Sequence, residues 1–121
     1  MDYKAKILLV DDDKFILKAL HQGLSTDYQV DSCLSAEDAI AMLENHQQFD
    51  AIIIDINLPG INGPDLIKFL KDNYPLVKRF VLSGLGEDEI MSNLNINDAV
   101  GVFYKPWNTE QIISSIHNAL N

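Results

Sequence analysis

A chain of 121 residues that is 47% hydrophobic has room for one globular domain with a single core. Its formal net charge of −9 argues against binding to nucleic acid or to an anionic membrane surface, and favours cations or basic surfaces of partner proteins. One cysteine excludes an internal disulfide, and no apolar stretch is long enough for a signal peptide or a membrane span. These features predict a cytoplasmic protein, or one domain of a longer protein.

Five short apolar runs predict five β-strands. The first and third contain LLV and AIII, and such solid runs are typical of strands that are covered on both faces in a parallel sheet. In chain order, the runs are Ile7–Val10, Gln29–Leu34, Ala51–Ile54, Val77–Leu82 and Val100–Tyr104.

A stretch with helical periodicity follows each apolar run. Four of these stretches carry an apolar stripe on one face, whereas the fourth in the chain is weaker because only Ile90 and Leu94 contribute to its stripe. Ser35 and Asn108 stand at N-cap positions, each with Asp or Gln three residues later. The helices are predicted over Phe15–Leu24, Ala36–Leu43, Asp65–Tyr74, Glu87–Leu94 and Glu110–Leu120.

Strand and helix therefore alternate five times, which predicts an α/β domain with a doubly wound parallel sheet. Sheets of this kind bind ligands at the carboxyl ends of their strands, near the point where the strand order reverses. Polar groups that follow the strands are thus the candidates for chemistry. They are Asp11, Asp12 and Asp13 after the first strand, Asp55 after the third, Ser83 after the fourth and Lys105 after the fifth.

If the first strand lies beside the third, with the fourth and fifth beyond it, these groups converge. Clustered carboxylates need a counter-charge, and Mg²⁺ with oxygen ligands is the simplest one. A lysine and a hydroxyl aimed at the same point would hold a tetrahedral anion, so the set describes a phosphoryl-transfer site with a carboxylate nucleophile. Asp13 differs from Asp11 and Asp12, because its position directly before the first helix predicts an N-cap.

At four separated points the sequence resembles a response-regulator receiver domain of two-component signalling. The points are the acidic cluster at Asp11, the segment DINLPGINGPDL from Asp55 to Leu66, the pair Ser83-Gly84, and Lys105-Pro106-Trp107. The resemblance covers essentially the whole chain, 1–121. It implies a flavodoxin-like (βα)5 three-layer sandwich with sheet order 2-1-3-4-5, either as a stand-alone regulator or as the N-terminal module of a longer protein.

The resemblance also implies a metal site. Asp12 would bind Mg²⁺ directly, and Asp11 would bind it mostly through water. Asp55 and the backbone carbonyl of Asn57 would complete the protein ligands.

For the phosphoryl group, the resemblance makes Asp55 the acceptor. A sensor histidine kinase or a phosphotransfer protein would donate the group from a phosphohistidine. Ser83 would hydrogen-bond a phosphoryl oxygen, and Lys105 would pair with the phosphoryl group. The peptide between Lys105 and Pro106 is expected to be cis.

A receiver of this kind is a regulatory domain that catalyses only its own phosphorylation and dephosphorylation. Its output face would be helix 4, strand 5 and helix 5, directed at an output domain, an effector protein or a second copy in a phosphorylation-dependent homodimer. One position departs from the family, because Val102 stands where the switch aromatic is usual, with Phe103 and Tyr104 after it.

Two other functions stay open on the sequence. A Mg²⁺-dependent phosphatase with an aspartyl nucleophile would want an acid two residues after Asp55, where this chain has Asn57 and no room for a substrate cap. A degenerate receiver would serve only as a protein-interaction module, but the intact set of Asp12, Asp55, Ser83 and Lys105 argues against it.

Overall fold

The structure is a computed structural model that describes residues 4–121, in which five strands and five α-helices alternate. All strands are parallel, in the order β2-β1-β3-β4-β5, which confirms the predicted doubly wound fold. The elements are β1 (Lys6–Val10), α1 (Lys14–Leu24), β2 (Gln29–Cys33), α2 (Ala36–Glu44), β3 (Ala51–Asp55), α3 (Gly63–Asn73), β4 (Lys78–Ser83), α4 (Asp88–Met91), β5 (Gly101–Tyr104) and α5 (Thr109–Leu120).

Two interior strands of the sheet, β1 and β3, hold the domain together. Successive side chains of a strand point to opposite faces, so one β1 strand supplies both cores. Leu8 and Val10 pack with α2 and α3 on one face, and Ile7 and Leu9 pack with α1 and α5 on the other. Each of these side chains is fully buried and stabilises the fold by about 1.5–3 kcal/mol. The apolar runs of β1 and β3 are uninterrupted because every residue in them is buried on one face of the sheet or the other.

The pairing register brings the strand ends to one edge of the sheet. Val10, the last residue of β1, pairs with Ile54, so Asp11 and Asp55 follow on neighbouring strands. Asp55 in turn pairs with Leu82, which directly precedes Ser83. The groups that the sequence marks as functional therefore follow strands that lie side by side.

Helix α4 is shorter than predicted, since it spans four residues instead of Glu87–Leu94. None of the residues Asp88–Met91 is buried, so little packing energy supports further turns. The Ser92 hydroxyl then donates a hydrogen bond to the Glu89 carbonyl oxygen, and Asn95 caps a separate 3₁₀ turn at Ile96–Asp98. In the described part of the chain, no helix is long and apolar enough to cross a membrane.

The structure confirms Asp13 as the N-cap of α1. Its Oδ1 atom accepts hydrogen bonds from the backbone N–H groups of Phe15 at 2.9 Å and of Ile16 at 3.3 Å. Ser35 and Asn108 cap α2 and α5 in the same way, as predicted.

We expect Asp13→Ala to lower the free energy of unfolding by about 0.5–2 kcal/mol, because two N–H groups of α1 lose their acceptor. Urea denaturation measures this loss. Asp13→Asn is the matched control, since it removes the charge but keeps a capping oxygen and should stay near wild type. An equal loss in both variants would show that the charge, and not the cap, is what stabilises the helix.

Candidate functional site

Three carboxylates meet at the carboxyl edge of the sheet. Asp11, Asp12 and Asp55 each offer an oxygen atom, and these atoms all lie within 4.8 Å of one another. Asp11 is only 1% exposed, Asp55 is half-buried and Asp12 is exposed, so the cluster opens to solvent at one side. The cluster lies between β1 and β3, where the strand order reverses and doubly wound sheets bind ligands.

Two tight turns orient the buried carboxylates. Oδ1 of Asp11 accepts a hydrogen bond from the N–H of Asp13 at 2.9 Å, and Oδ1 of Asp55 accepts one from the N–H of Asn57 at 3.2 Å. An aspartate that binds the amide two residues ahead folds the chain back on itself. The first turn therefore positions Asp11 and also places Asp13 to cap α1.

Gly63 allows the loop after β3 to lie close to the site. A Cβ atom at this position would come within 2.7 Å of the Asp55 carbonyl oxygen and of the Ile56 backbone. The first turn of α3 can therefore contact the end of β3 only with glycine here. Asn57 lies at the start of this loop with its side chain exposed, and a metal contact by its carbonyl stays a prediction.

The electrostatics of the cluster call for a counter-ion. Burial raises the pKa of Asp11 to about 6. The hydrogen bond from the Asp13 N–H and the charge of Lys105 lower this pKa, whereas the negative charges of Asp12 and Asp13 raise it. Burial also raises the pKa of Asp55 to about 7; the Asp11 charge adds to this shift, and the Asn57 N–H opposes it. Three oxygen donors with mutual repulsion fit a hard divalent cation such as Mg²⁺.

Ser83 and Lys105 flank the carboxylates from β4 and β5. Ser83 is 2% exposed at the end of β4, and its carbonyl accepts a hydrogen bond from the Lys105 N–H at 2.9 Å. The peptide between Lys105 and Pro106 is cis, as expected. The Lys105 ammonium does not contact Asp55. It lies 5.6 Å from the centroid of the Trp107 ring, and it belongs to none of the ion pairs found within residues 4–121.

One residue at this edge, Glu87, was not expected from the sequence. Glu87, read as the first residue of a helix, reaches back along the loop, where its Oε1 atom accepts a hydrogen bond from the Gly84 N–H at 2.5 Å. Its charge is also among those that raise the pKa of Asp55. The only indication in the sequence that Glu87 belongs to the site is its position four residues after Ser83, and that spacing does not specify where its side chain points.

The structure is a doubly wound α/β domain with a cluster of acidic side chains at the reversal of its strand order. A family model described as the response regulator receiver domain matches residues 7–117. The chain belongs to this family, and it is a regulatory domain of two-component signalling.

Known proteins agree with this assignment. The hydrogenase transcriptional regulatory protein HoxA of Cupriavidus necator is 29% identical over 120 residues, which are 98% of this chain and 25% of that protein. The signal receiver domain of an HD domain-containing protein from Pseudomonas fluorescens Pf-5 superposes with a TM-score of 0.89 at 27% identity, over 99% of this chain and 89% of that one. A response regulator receiver domain protein from Clostridium thermocellum gives 0.85 at 27% identity, over 97% and 94%.

The chain spans about a quarter of the length of the hydrogenase regulators that it matches.

We expect Asp55→Asn to stabilise the metal-free protein at pH 8 by about 1–2 kcal/mol, a value discounted for solvent screening. The folded pKa of Asp55, about 7, exceeds the ordinary value of 3.8, so the folded state holds its proton more tightly than the unfolded state. The stability contributed by this group is therefore full below pH 4 and is lost as the pH rises through 7. Thermal melts with EDTA at pH 5 and pH 8 measure the effect.

Asp27→Asn is the control, because Asp27 is an exposed carboxylate in the turn after α1, away from the sheet edge. It should show no gain between pH 5 and pH 8. A gain for Asp55→Asn that is the same at both pH values would contradict the electrostatic origin of the effect.

Proposed function

We propose that this domain is a phosphorylation-dependent switch in which Asp55 accepts a phosphoryl group. The donor is the phosphohistidine of a sensor histidine kinase or of a phosphotransfer protein. The observation that supports this best is the convergence of carboxylate oxygens from Asp11, Asp12 and Asp55 within 4.8 Å at the strand-order reversal. The site residues, the metal and the cytoplasmic location are part of the proposal.

The residues that would hold Mg²⁺ are Asp11, Asp12, Asp55 and the carbonyl of Asn57. The bound ion would neutralise charge on the transferring group. Asp55 is suited to attack because one of its oxygens is held by the Asn57 N–H while the other stays free for the phosphorus atom. A P–O bond forms to Asp55, the P–N bond of the phosphohistidine breaks, and its electron pair stays on the histidine nitrogen.

Ser83 and Lys105 complete the proposed site. The Ser83 hydroxyl would donate to one phosphoryl oxygen, and the Lys105 ammonium would pair with the new negative charge. The ammonium has a flexible stem, so it can leave the Trp107 ring and turn toward Asp55. The phosphorylated state thus exchanges a cation–π contact for an ion pair.

Signal output would use the face formed by α4, β5 and α5. Leu85, Ile96, Val100 and Tyr104 expose large apolar surface on or beside these elements. Of the two aromatics after Val102, Phe103 is buried and stacks on Phe80, whereas Tyr104 is exposed.

Tyr104 also pairs with Ser83 in the sheet register. It is therefore the aromatic best placed to couple the site to a partner. That partner would be an output domain in the same chain or in trans, an effector protein, or a second phosphorylated copy. The receiver unit itself is proposed to span 1–121.

Incubation with Mg²⁺ and acetyl phosphate, followed by intact mass, tests the proposal. We expect a gain of one phosphoryl group on the wild-type chain, and no gain on Asp55→Asn or Asp12→Ala because they lack the nucleophile or a metal ligand. Asp13→Asn is the control and should be phosphorylated normally. Equal loss in Asp12→Ala and Asp13→Asn would contradict the division of the acidic triplet.

The same experiment separates the two alternatives. Steady hydrolysis of phosphate monoesters would favour an aspartyl-phosphate phosphatase, for which Asn57 supplies no acid. A chain that gains no phosphoryl group and binds no Mg²⁺ would be left as an interaction module.

Phosphorylation should also change the fluorescence of Trp107, the only tryptophan of the chain. The reason is that the Lys105 ammonium, which lies over its ring, would move to the phosphoryl group. We expect the change with acetyl phosphate and Mg²⁺ in the wild type and in Asp13→Asn, but not in Asp55→Asn. A full change in Lys105→Met would show that the ammonium is not its source.

A further inference from the structure

Glu87 makes an unusual contact for a residue that directly precedes a helix. Its carboxylate does not cap α4, because it accepts no hydrogen bond from the N–H groups of the first helical turn. Instead, Oε1 turns back and accepts a hydrogen bond from the N–H of Gly84 at 2.5 Å. Glu87 is half-buried, whereas Glu89, two residues later, is exposed. The Glu87 side chain therefore points at the sheet edge.

The Glu87 carboxylate lies among the groups of the candidate site. A Cβ atom built on Gly84 would be 3.4 Å from Oε1 of Glu87 and 3.1 Å from Cδ of Lys105, so both side chains lie beside Gly84. Glu87 is also close enough to Asp55 for its charge to disfavour ionisation of that carboxyl. Gly84 itself follows Ser83 directly. The Glu87 carboxylate therefore binds Gly84, lies near Lys105 and interacts electrostatically with Asp55.

We propose that Glu87 is an internal competitor of the phosphoryl group, and that it holds the Gly84 N–H until phosphorylation of Asp55 displaces it. Both groups are anions with oxygen acceptors, and both require the same edge of the site. A phosphoryl group on Asp55 would repel the carboxylate and offer the Gly84 N–H another acceptor. This inference rests on the proposed function and names a regulator of that site.

Displacement of Glu87 would reach the output face directly. The Glu87 carbonyl accepts the hydrogen bond of the Met91 N–H, which forms the first turn of α4. Because α4 has four residues and none of Asp88–Met91 is buried, a small change at Glu87 can shift the helix at low cost. The contact therefore links the state of Asp55 to α4, in a chain with Val102 at the usual position of the switch aromatic.

The test compares Glu87→Ala and Glu87→Gln with Glu89→Ala, which removes the same charge from the exposed side of α4. The first readout is the rate at which acetyl phosphate and Mg²⁺ add a phosphoryl group, followed by intact mass. The second readout is the amide proton shift of Gly84 in unmodified, metal-free protein. Thermal melts confirm that each variant is folded.

We expect Glu87→Ala to be phosphorylated about three- to tenfold faster than wild type, which corresponds to the net contribution of one typical hydrogen bond. Glu87→Gln should lie between the two, because its side chain can still accept from Gly84 but carries no charge. Glu89→Ala should stay within about twofold of wild type, since exposed charges interact weakly with the site. The Gly84 amide proton should move upfield in Glu87→Ala only.

Two results would overturn the competition alone: equal rates for Glu87→Ala and Glu89→Ala, or slower phosphorylation of Glu87→Ala, which would make Glu87 a supporting residue. An unchanged Gly84 amide in Glu87→Ala would overturn the contact itself. A wild-type chain that gains no phosphoryl group would overturn the proposed function, and the competition with it, whatever the Gly84 amide shows.

Discussion

The repulsion between Asp11 and Asp55 is the constraint on which the rest of this domain depends. Each carboxylate follows a strand that is buried on both faces, and the register of β1 and β3 leaves the two no freedom to separate. The apolar contacts of these strands stabilise the fold by far more than the repulsion destabilises it. The sheet thus holds the two carboxylates close together, whereas in a flexible loop they would move apart.

Neighbouring groups reduce that repulsion without removing it. The N–H groups of Asp13 and Asn57 each favour the ionised form of one carboxylate. The charge of Lys105 lowers the pKa of Asp11 from a distance, while its ammonium lies at the Trp107 ring. The repulsion that is left favours the binding of a divalent cation at this edge.

Much of this could be read from the sequence, for a physical reason. Solid apolar runs occur where strands are buried on both faces, and caps such as Asp13 depend on only two or three neighbouring residues. A polar residue directly after such a run must lie at the carboxyl edge, so backbone topology alone places Asp11, Asp55, Ser83 and Lys105 there. Local rules and the order of the strands were sufficient for these features.

Features that depend on side-chain direction could not be read in this way. The length of α4 depends on how little its side chains are buried, since none of Asp88–Met91 is fully buried, and only the packed structure shows this. An acidic residue such as Glu87 is typical of the start of a helix, yet its carboxylate accepts a hydrogen bond from Gly84, three residues earlier in the chain. The Lys105 ammonium lies over Trp107 because that ring packs at the edge of the core nearby, and no spacing rule encodes this contact.

Under the proposed function, these two side chains would make an aromatic at position 102 unnecessary. A residue that signals by rotating between a buried and an exposed position needs bulk, and Val102 packs partly against the core with none to move. The side chains of Glu87 and Lys105, by contrast, are each held near the end, by the Gly84 N–H and by the Trp107 ring respectively. Under the proposed function, a phosphoryl group on Asp55 would act on both side chains at once, because it would repel the Glu87 carboxylate and attract the Lys105 ammonium. A change in charge at the sheet edge can therefore become a change in shape at the start of α4 and in the loop after β5.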